Sequence, residues 1–435
     1  MKKPFVITLP YQDPASLFAA HADKPFAQFL DSCEKARYSY ICLDPQQVFS
    51  DPATIFEDLQ SKLSQTAHLA HDDLPPFQGG FVGYFGYELL HQLENVPAKE
   101  RDDVSLPDVC LGFYDTIAAF DHQDQKAYIF SLTSEEAAQK LADKLSETAP
   151  AASYAPCHLN WQSDFSAERY QETVQKVIDY IRAGDIFQAN LTQRFRAQLP
   201  DEFAPYSFYQ NLRTRNPAPF SAYLNMEGFT IASSSPERFL QVRGKAVETC
   251  PIKGTRPRSK DRATDQANAT ELAKSEKDMA ENTMIVDLLR NDISKVCAPH
   301  SVKVQELCAV HSFASVHHLI STVTGTLKDG KTAVDLLRAS FPGGSITGAP
   351  KVRAMEIISE LEPVRRNAYC GAIGYLGCNG NMDTNIVIRT ALFKDDTVCV
   401  QVGGGIVADS QPAAEYQETL DKAHALLSAF AKGAS

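Results

Sequence analysis

The sequence predicts an α+β fold of large antiparallel β-sheets sandwiched by helices. Three observations carry that prediction. Strand-like runs follow one another in groups, with helices between the groups rather than after every strand. Turn signals sit inside those groups, at Arg243-Gly244, Asp329-Gly330 and Asn379-Gly380, which favours hairpins over parallel crossovers. No repeat of solenoid period is present.

In chain order, "FVITL" and "KAYIFSL" have strand character, and between them "QGGFVGYFGYELL" mixes aromatic residues with small ones that permit close backbone approach. From Ser134 to about Ser166 the composition shifts to Ala, Ser, Glu and Pro: "SEEAAQKLADKLSE" reads as a helix and "TAPAASYAP" as a connector. The chain thus divides into residues 1–133, a helix and connector over 134–165, and a long region over 166–430, intimately packed. "SAERYQETVQKVIDYIRAGD" is a helix with Ser166 as N-cap and Gly184 past its end. The strand "IFQANLTQRFRAQL" follows, then antiparallel strands over "FTIASSSPERFLQVRGKAVETCPI". "ATELAKSEKDMAENTMIVDLLRNDISKV" predicts one long helix, "VHHLISTVTGTLKDGKT" a strand and turn, "CGAIGYLGCNGNMDTNIVIRTALF" a hairpin, and "QPAAEYQETLDKAHALLSAFAK" an amphipathic closing helix.

The 435 residues, 44% hydrophobic and 22% charged, are those of an ordinary globular chain able to bury a large core. A net charge of −12 argues against a general nucleic-acid binder. The apolar run of "MKKPFVITLP" is cut short by Pro10, and nothing approaches the ~20 apolar residues of a membrane span, so a cytosolic protein is expected. Ten scattered cysteines without a C-x-x-C pair suggest reduced, mostly buried thiols.

Against that acidic background "ETCPIKGTRPRSKDR" is anomalous. Lys253, Arg256, Arg258, Lys260 and Arg262 crowd positive charge where two prolines and a glycine exclude regular helix. Lys253 is then either an anion clamp or an activated amine, unless the run is a solvated loop. Two glycine motifs mislead. In "PGGSITGAPK" Gly348 is followed by Ala349 and Pro350, which rules out a P-loop, although backbone N–H groups at the start of the helix "APKVRAMEIISEL" could hold a carboxylate. "GGGIVA" lacks the helix that a dinucleotide fingerprint requires; its glycines mean backbone lining something closely. Glu281 lies at the edge of an apolar helical face, and Glu415, Glu418 and Lys422 share one side of the last helix. Carboxylates from two helices suit Mg²⁺, while two solvated helix faces are the alternative.

The stretches "RYSYI", "GGFVGYFGYE", "GDIFQANLTQRF", "SSSPERF", "PIKGTRPR", "AENTMIVDLLRND", "PGGSITGAPK", "GAIGY" and "VGGGIVADS" resemble, in this order and over nearly the whole chain, the chorismate-utilising enzymes. That family contains the large subunits of anthranilate and aminodeoxychorismate synthases together with isochorismate and salicylate synthases. The resemblance implies their fold and a role for each matching residue. Lys253 stands where anthranilate synthases typically have alanine, which is similar to the branch that aminates C4 of chorismate. There the lysine attacks C2 of the ring, the C4 hydroxyl leaves, and ammonia adds at C4 and displaces the lysine. The product is 4-amino-4-deoxychorismate, bound for para-aminobenzoate and folate. A neutral amine is required, and Arg256, Arg258 and Lys260 are expected to depress the pKa of Lys253 if they fold near it. Glu237 resembles the general acid, for which a raised pKa is expected.

The resemblance further implies Mg²⁺ held by Glu281 and Glu418, with Glu415 at or near the ion, and substrate contacts from His318, Thr347, Gly348, Tyr375, Arg389, Gly404, Gly405 and Lys422. Arg389 suits a bidentate hold on the enolpyruvyl carboxylate. Gln188 stands where isochorismate and salicylate synthases carry a basic lysine; glutamine cannot activate water. No glutaminase signature is present, so ammonia is expected from a separate glutamine amidotransferase subunit. Ser32, Tyr38, Ser39, Pro219, Phe220 and Ser221 resemble the lining of a pocket that in relatives holds tryptophan. Two other readings stay open: anthranilate synthase component I, and a noncatalytic regulator that binds chorismate or tryptophan.

Overall fold

The computed structural model describes residues 2–98, 101–147, 155–313 and 316–431. Most of the connector "TAPAASYAP" lies outside them. Two antiparallel sheets, of twelve and ten strands, form the frame. Residues of the first sheet such as Tyr40, Ala222 and Ile231 and of the second such as Tyr84, Val82 and Ile373 bury their side chains in shared clusters, which places an apolar layer between the sheets. Further clusters cover the outer faces with helices: Phe208, Leu212, Leu426 and Phe430 against the first sheet, and Val286, Ile293 and Leu337 against the second. Burying both faces of each sheet explains why so many strands read as continuous apolar runs. The α+β architecture is the predicted one.

Strands from early and late sequence share both sheets. Gln28–Asp31 pairs with Phe220–Met226 in the first sheet, and Gly80–Phe85 with Ala372–Gly377 in the second. Among the described residues no helix is long and apolar enough to cross a membrane. All ten cysteines are free, seven of them buried.

Local chemistry sets most element ends as expected. The Ser166 hydroxyl accepts from the Arg169 amide, and Gly184 closes that helix at φ +86°. The long helix predicted from Ala269 onward is instead two, Arg262–Lys274 and Glu276–Ser294. Ser275 breaks it: its backbone is extended, and its hydroxyl caps the second helix by accepting from the Asp278 amide.

Two chain crossings between the sheets position the site. Phe229–Ser235 belongs to the first sheet and Arg238–Arg243 to the second, so Pro236 and Glu237 span the gap. Met382–Asn385 and Thr390–Lys394 are divided in the same way, which puts Arg389 in the other crossing. The crossings are laced together: Ile386 N donates to Glu237 O, Ser234 N to Arg389 O, and Ser235 Oγ to Ile386 O. Arg389 adopts φ +55°, a left-handed turn that this lacing holds.

Candidate active site

Lys253 lies on the strand Ile252–Pro257 at one end of the second sheet, paired with Leu319. The pairing slips between Lys253 and Thr255, where Gly254 takes φ +73°. A Cβ at Gly254 would meet Asp278 Cγ at 2.8 Å, so only glycine lets the strand lie this close to the helix Glu276–Ser294. The Lys253 ammonium donates to Ser345 O at 2.9 Å. Burial pulls its pKa below the ordinary lysine value, opposed by Glu281 and Glu237 and assisted by Lys422.

That depression does not come from the cations of the basic run, contrary to expectation. Arg256 turns away to Glu271 and Asp278, and Arg258 to Asp265. Neither bears on Lys253, and nor does Lys260. Desolvation of the ammonium does the work, and the basic run is spent on pairing with the two helices that follow it.

Glu237 is only 5% exposed, and burial raises its carboxyl above the ordinary glutamate range against the pull of the Ser345 hydroxyl and of Lys253. Ser345 therefore touches both groups, with its carbonyl on the lysine and its hydroxyl on the acid. Sequence reading passed over it inside "PGGSITGAPK". That segment also departs from the anion-binding expectation, because its carbonyls face cations: Ser345 O accepts from Lys253, Ile346 O from Arg366, and Pro342 O from Lys351. Thr347 is fully buried, with its carbonyl accepting from Asn190 N at 2.7 Å. A Cβ on Gly348 would lie 2.1 Å from Gln188 O, so glycine alone permits this backbone contact.

Over the glycine strand the last helix, Pro412–Leu427, presents its acidic side. From a Cβ built on Gly404, Glu415 Oε2 would lie at 3.4 Å, Glu418 Oε1 at 3.6 Å and Lys422 Nζ at 3.7 Å. Lys422 bridges Glu418 at 2.7 Å and Gly403 O at 2.9 Å. Burial raises Glu415 and Glu281; Glu415 raises Glu281 further, and Glu418 does the same to Glu415. For Glu418 burial pulls upward, but the Lys422 ammonium prevails and holds it low. Lys277 and Ser410, which sequence reading missed, meet Glu415 at 4.0 and 2.6 Å. Among the described residues no three His, Cys, Asp or Glu side chains close into a metal cage by themselves. The donor set still fits a hard cation, since oxygen donors that destabilise one another's charge are relieved by one.

His318 accepts from or donates to Thr255 Oγ1 at 2.9 Å, and burial pushes its pKa down to about 4, with Arg389 nearby adding to the effect. It is neutral at pH 7. Arg389 donates to Lys422 O at 3.0 Å and has no carboxylate partner among the described residues; burial lowers its pKa, and Tyr369 opposes this. Gly405 leaves space for the Gln188 side chain, whose Nε2 would lie 2.2 Å from an added Cβ.

One expected substrate contact lies elsewhere. Tyr375 faces away from this cluster, with its hydroxyl accepting from Arg243 and its ring stacked on Phe77. It lines a separate cavity of about 230 Å³ with Tyr38, Pro219, Phe220 and Ser221. The tyrosine beside Arg389 is Tyr369, six residues earlier, before the strand Ala372–Gly377 begins. Spacing in a hairpin does not tell which sheet face a side chain takes. Ser32 and Ser39, expected in that second cavity, do not line it. They bond each other at 3.2 Å on the far side, and Ser39 continues to His122 at 2.7 Å. Alternation along the strand Tyr38–Cys42 explains this, since Tyr38 and Ser39 must point to opposite faces.

Residues 15–428 match the model of the chorismate binding enzyme family. The chain is 42% identical to aminodeoxychorismate synthase component 1 of Klebsiella aerogenes, over 98% of this chain and 99% of that one. It is 43% identical to anthranilate synthase component 1 of Thermus thermophilus, over 82% and 79% respectively. Among solved structures, anthranilate synthase component I from Streptococcus pneumoniae TIGR4 superposes with a TM-score of 0.81 at 33% identity, covering 90% of this chain and 92% of that one. A match over nearly the full length, with the polar clusters gathered where the two sheets exchange strands, makes this chain a member of the chorismate binding enzyme family.

Proposed function

We propose that the chain converts chorismate and ammonia to 4-amino-4-deoxychorismate, as component 1 of an aminodeoxychorismate synthase. The carrying observation is the Lys253–Ser345–Glu237 arrangement, a half-buried amine with depressed pKa beside a buried acid with raised pKa. Those opposite shifts move Lys253 toward the neutral amine and Glu237 toward the protonated acid, the states needed for attack and for departure of a hydroxyl. The Lys253 amine forms a bond to C2, both ring double bonds shift one position round the ring, and the C4–O bond breaks as Glu237 delivers a proton and water leaves. Ammonia then bonds to C4, both double bonds shift back and the C2–N bond breaks. Glu237, now ionised, recovers a proton from the incoming ammonium.

Arg389, with no carboxylate partner among the described residues, holds a substrate carboxylate; neutral His318, the Thr347–Gly348 backbone, Gly404, Gly405 and Lys422 shape the remaining contacts. Glu281, Glu418 and Glu415 would hold Mg²⁺, which supplies charge neutralisation for a dianionic substrate. Ammonia comes from a separate glutaminase subunit, in keeping with the "component 1" names of the relatives. The cavity around Tyr38 and Phe220 takes tryptophan, with Tyr375 in its wall, and the protein works in the cytoplasm.

Overall identity does not separate the two amination branches, because the Thermus anthranilate synthase is as similar as the aminodeoxychorismate synthases. Incubation with chorismate, Mg²⁺ and ammonium does. Amination at C4 is the expected product; anthranilate, aminated at C2, would contradict the proposal.

A further inference from the structure

The carboxylates over the glycine strand are unequally supplied with cations. Lys422 is committed to them: its ammonium pairs with Glu418 at 2.7 Å and donates to Gly403 O at 2.9 Å. Lys253 acts on Glu281 and Glu418 through space, while its own hydrogen bond goes to Ser345 O. Lys277 is the third cation, and it is barely held. Among the described residues its ammonium has one ionic partner, Glu415 Oε1 at 4.0 Å, too long for a hydrogen bond. That oxygen already accepts from Ser410 Oγ at 2.6 Å.

The helix Glu276–Ser294 does not itself call for a lysine at this place. Lys277 stands in its first turn, where the macrodipole opposes a cation. It precedes Glu281 by four residues, the weaker order for a helical ion pair, and among the described residues the two form none. Asp278 beside it is taken by Arg256. Yet the charge of Lys277 reaches all three carboxylates, pulling Glu281, Glu415 and Glu418 downward together. Its side chain is 48% exposed on a flexible four-carbon stem, so the ammonium leaves for solvent without breaking a hydrogen bond.

We propose that Lys277 is a tethered counter-ion, which stands in for Mg²⁺ among Glu281, Glu415 and Glu418 in the metal-free protein and swings into solvent when the ion enters. The proposal rests on the reading of these three carboxylates as Mg²⁺ donors. Set against Lys422 alone they leave two negative charges crowded together, and Lys277 halves that excess. It yields its place because one ammonium carries half the charge of a divalent ion. Two consequences follow from the exchange: Lys277 weakens Mg²⁺ binding to the free protein, and it steadies the cluster without metal. The tether also couples metal to substrate, since the carboxylates of chorismate restore the attraction that Lys277 offsets.

Lys277→Met removes the charge and keeps an unbranched side chain, whereas Lys277→Arg keeps the charge. Calorimetric titration of the full chain with Mg²⁺ alone, at low ionic strength and without chorismate, reads the difference. A unit charge roughly 6 Å from a dication in water-like surroundings changes binding about tenfold. Lys277→Met should therefore bind Mg²⁺ about tenfold more tightly than wild type, and Lys277→Arg as wild type does. Added KCl should shrink the tenfold factor. Thermal unfolding gives a second reading: Lys277→Met should melt below wild type without metal and recover the difference at saturating Mg²⁺. Unchanged or weaker Mg²⁺ binding by Lys277→Met overturns the tether, as does equal tightening in Lys277→Arg, which would mark a steric effect; should Lys277→Met fail to fold, Lys277→Gln decides. Wild-type Mg²⁺ binding that survives Glu281→Gln unaltered would sink the reading of the metal ligands instead, so the two failures are told apart.

Discussion

Lys253 and Lys351 are both half-buried lysines, both with pKa values lowered by desolvation, and both on or against the segment "PGGSITGAPK". Their partners differ. Lys351 uses all three donors: it pairs with Asp292, itself 2% exposed, and donates to Ser340 O at 2.8 Å and Pro342 O at 3.0 Å. Among the described residues Lys253 has a single side-chain hydrogen bond, and Glu281, Glu237 and Glu418 act on it through space without an ion pair. Burial alone therefore does not make a nucleophile. An ammonium locked by a carboxylate and two carbonyls is a structural tie, whereas one held by a single carbonyl can lose its proton at modest cost.

Exchanging either lysine for methionine should break the symmetry in opposite ways. Lys351→Met strands the buried Asp292 and two carbonyls, and should cost about 3–5 kcal/mol of stability in denaturant unfolding. Lys253→Met should change stability by less than about 1.5 kcal/mol, as a volume-conserving swap does, and abolish turnover. A depressed folded-state pKa means that unfolding takes up a proton between that value and the unfolded ~10.4, so the wild type gains stability as pH rises through that window. Lys253→Met should lose its share of that rise, measured as the difference in unfolding free energy between neutral and alkaline pH.

Next in size is Glu237→Gln, which keeps the shape of the acid and removes its proton; kcat should fall by about 10²–10⁴-fold with chorismate binding preserved. In the wild type, activity should fall on the acidic side as Lys253 protonates and on the alkaline side as Glu237 ionises. The glutamine variant should have lost the alkaline limb that Glu237 sets. Glu281→Gln and Glu418→Gln should each raise the Mg²⁺ concentration for half-maximal activity, by about tenfold or more if one charged ligand contact is lost. Wild-type Mg²⁺ dependence in either variant would remove that residue from the ligand set.

The smallest effect is expected from Arg256→Ala. Its partners Glu271 and Asp278 make a partly exposed pair of ion pairs worth about 1 kcal/mol or less. The acid limb of the pH profile should not move, because Lys253 owes its depressed pKa to burial. A shift of that limb would restore the basic run as its cause.

Much of this site was legible in the sequence because residue type and local spacing carry it. Glu415, Glu418 and Lys422 had to share a helix side, Gly403 to Gly405 had to be lined closely, and Lys253 was out of place among apolar neighbours. The illegible parts are those decided by distant chain. Nothing near Tyr375 indicates that its strand face looks into a different cavity from Arg389, or that Tyr369 takes the place beside the arginine. Ser32 and Ser39 sit in a matching motif, yet pleating turns Ser39 toward His122 and Ser32 bonds to Ser39 there. The cap at Ser275 was available, since a serine followed three residues later by Asp278 is an N-cap signal, but the apolar periodicity on either side masks it. Ser345 acquires its role only when two sheet crossings bring Glu237 to the far side of the loop that Lys253 touches.

The central claim is that Lys253 is a nucleophile where Lys351 is a tie, and intact-protein mass spectrometry with chorismate and Mg²⁺, ammonia withheld, tests it most directly. The account predicts a mass increase equal to chorismate less one water, mapping by peptide analysis to Lys253 and absent from Lys253→Arg, whose guanidinium stays protonated. No adduct on wild-type protein, together with near-normal C4 amination by Lys253→Arg, would contradict it and leave Lys253 an anion clamp.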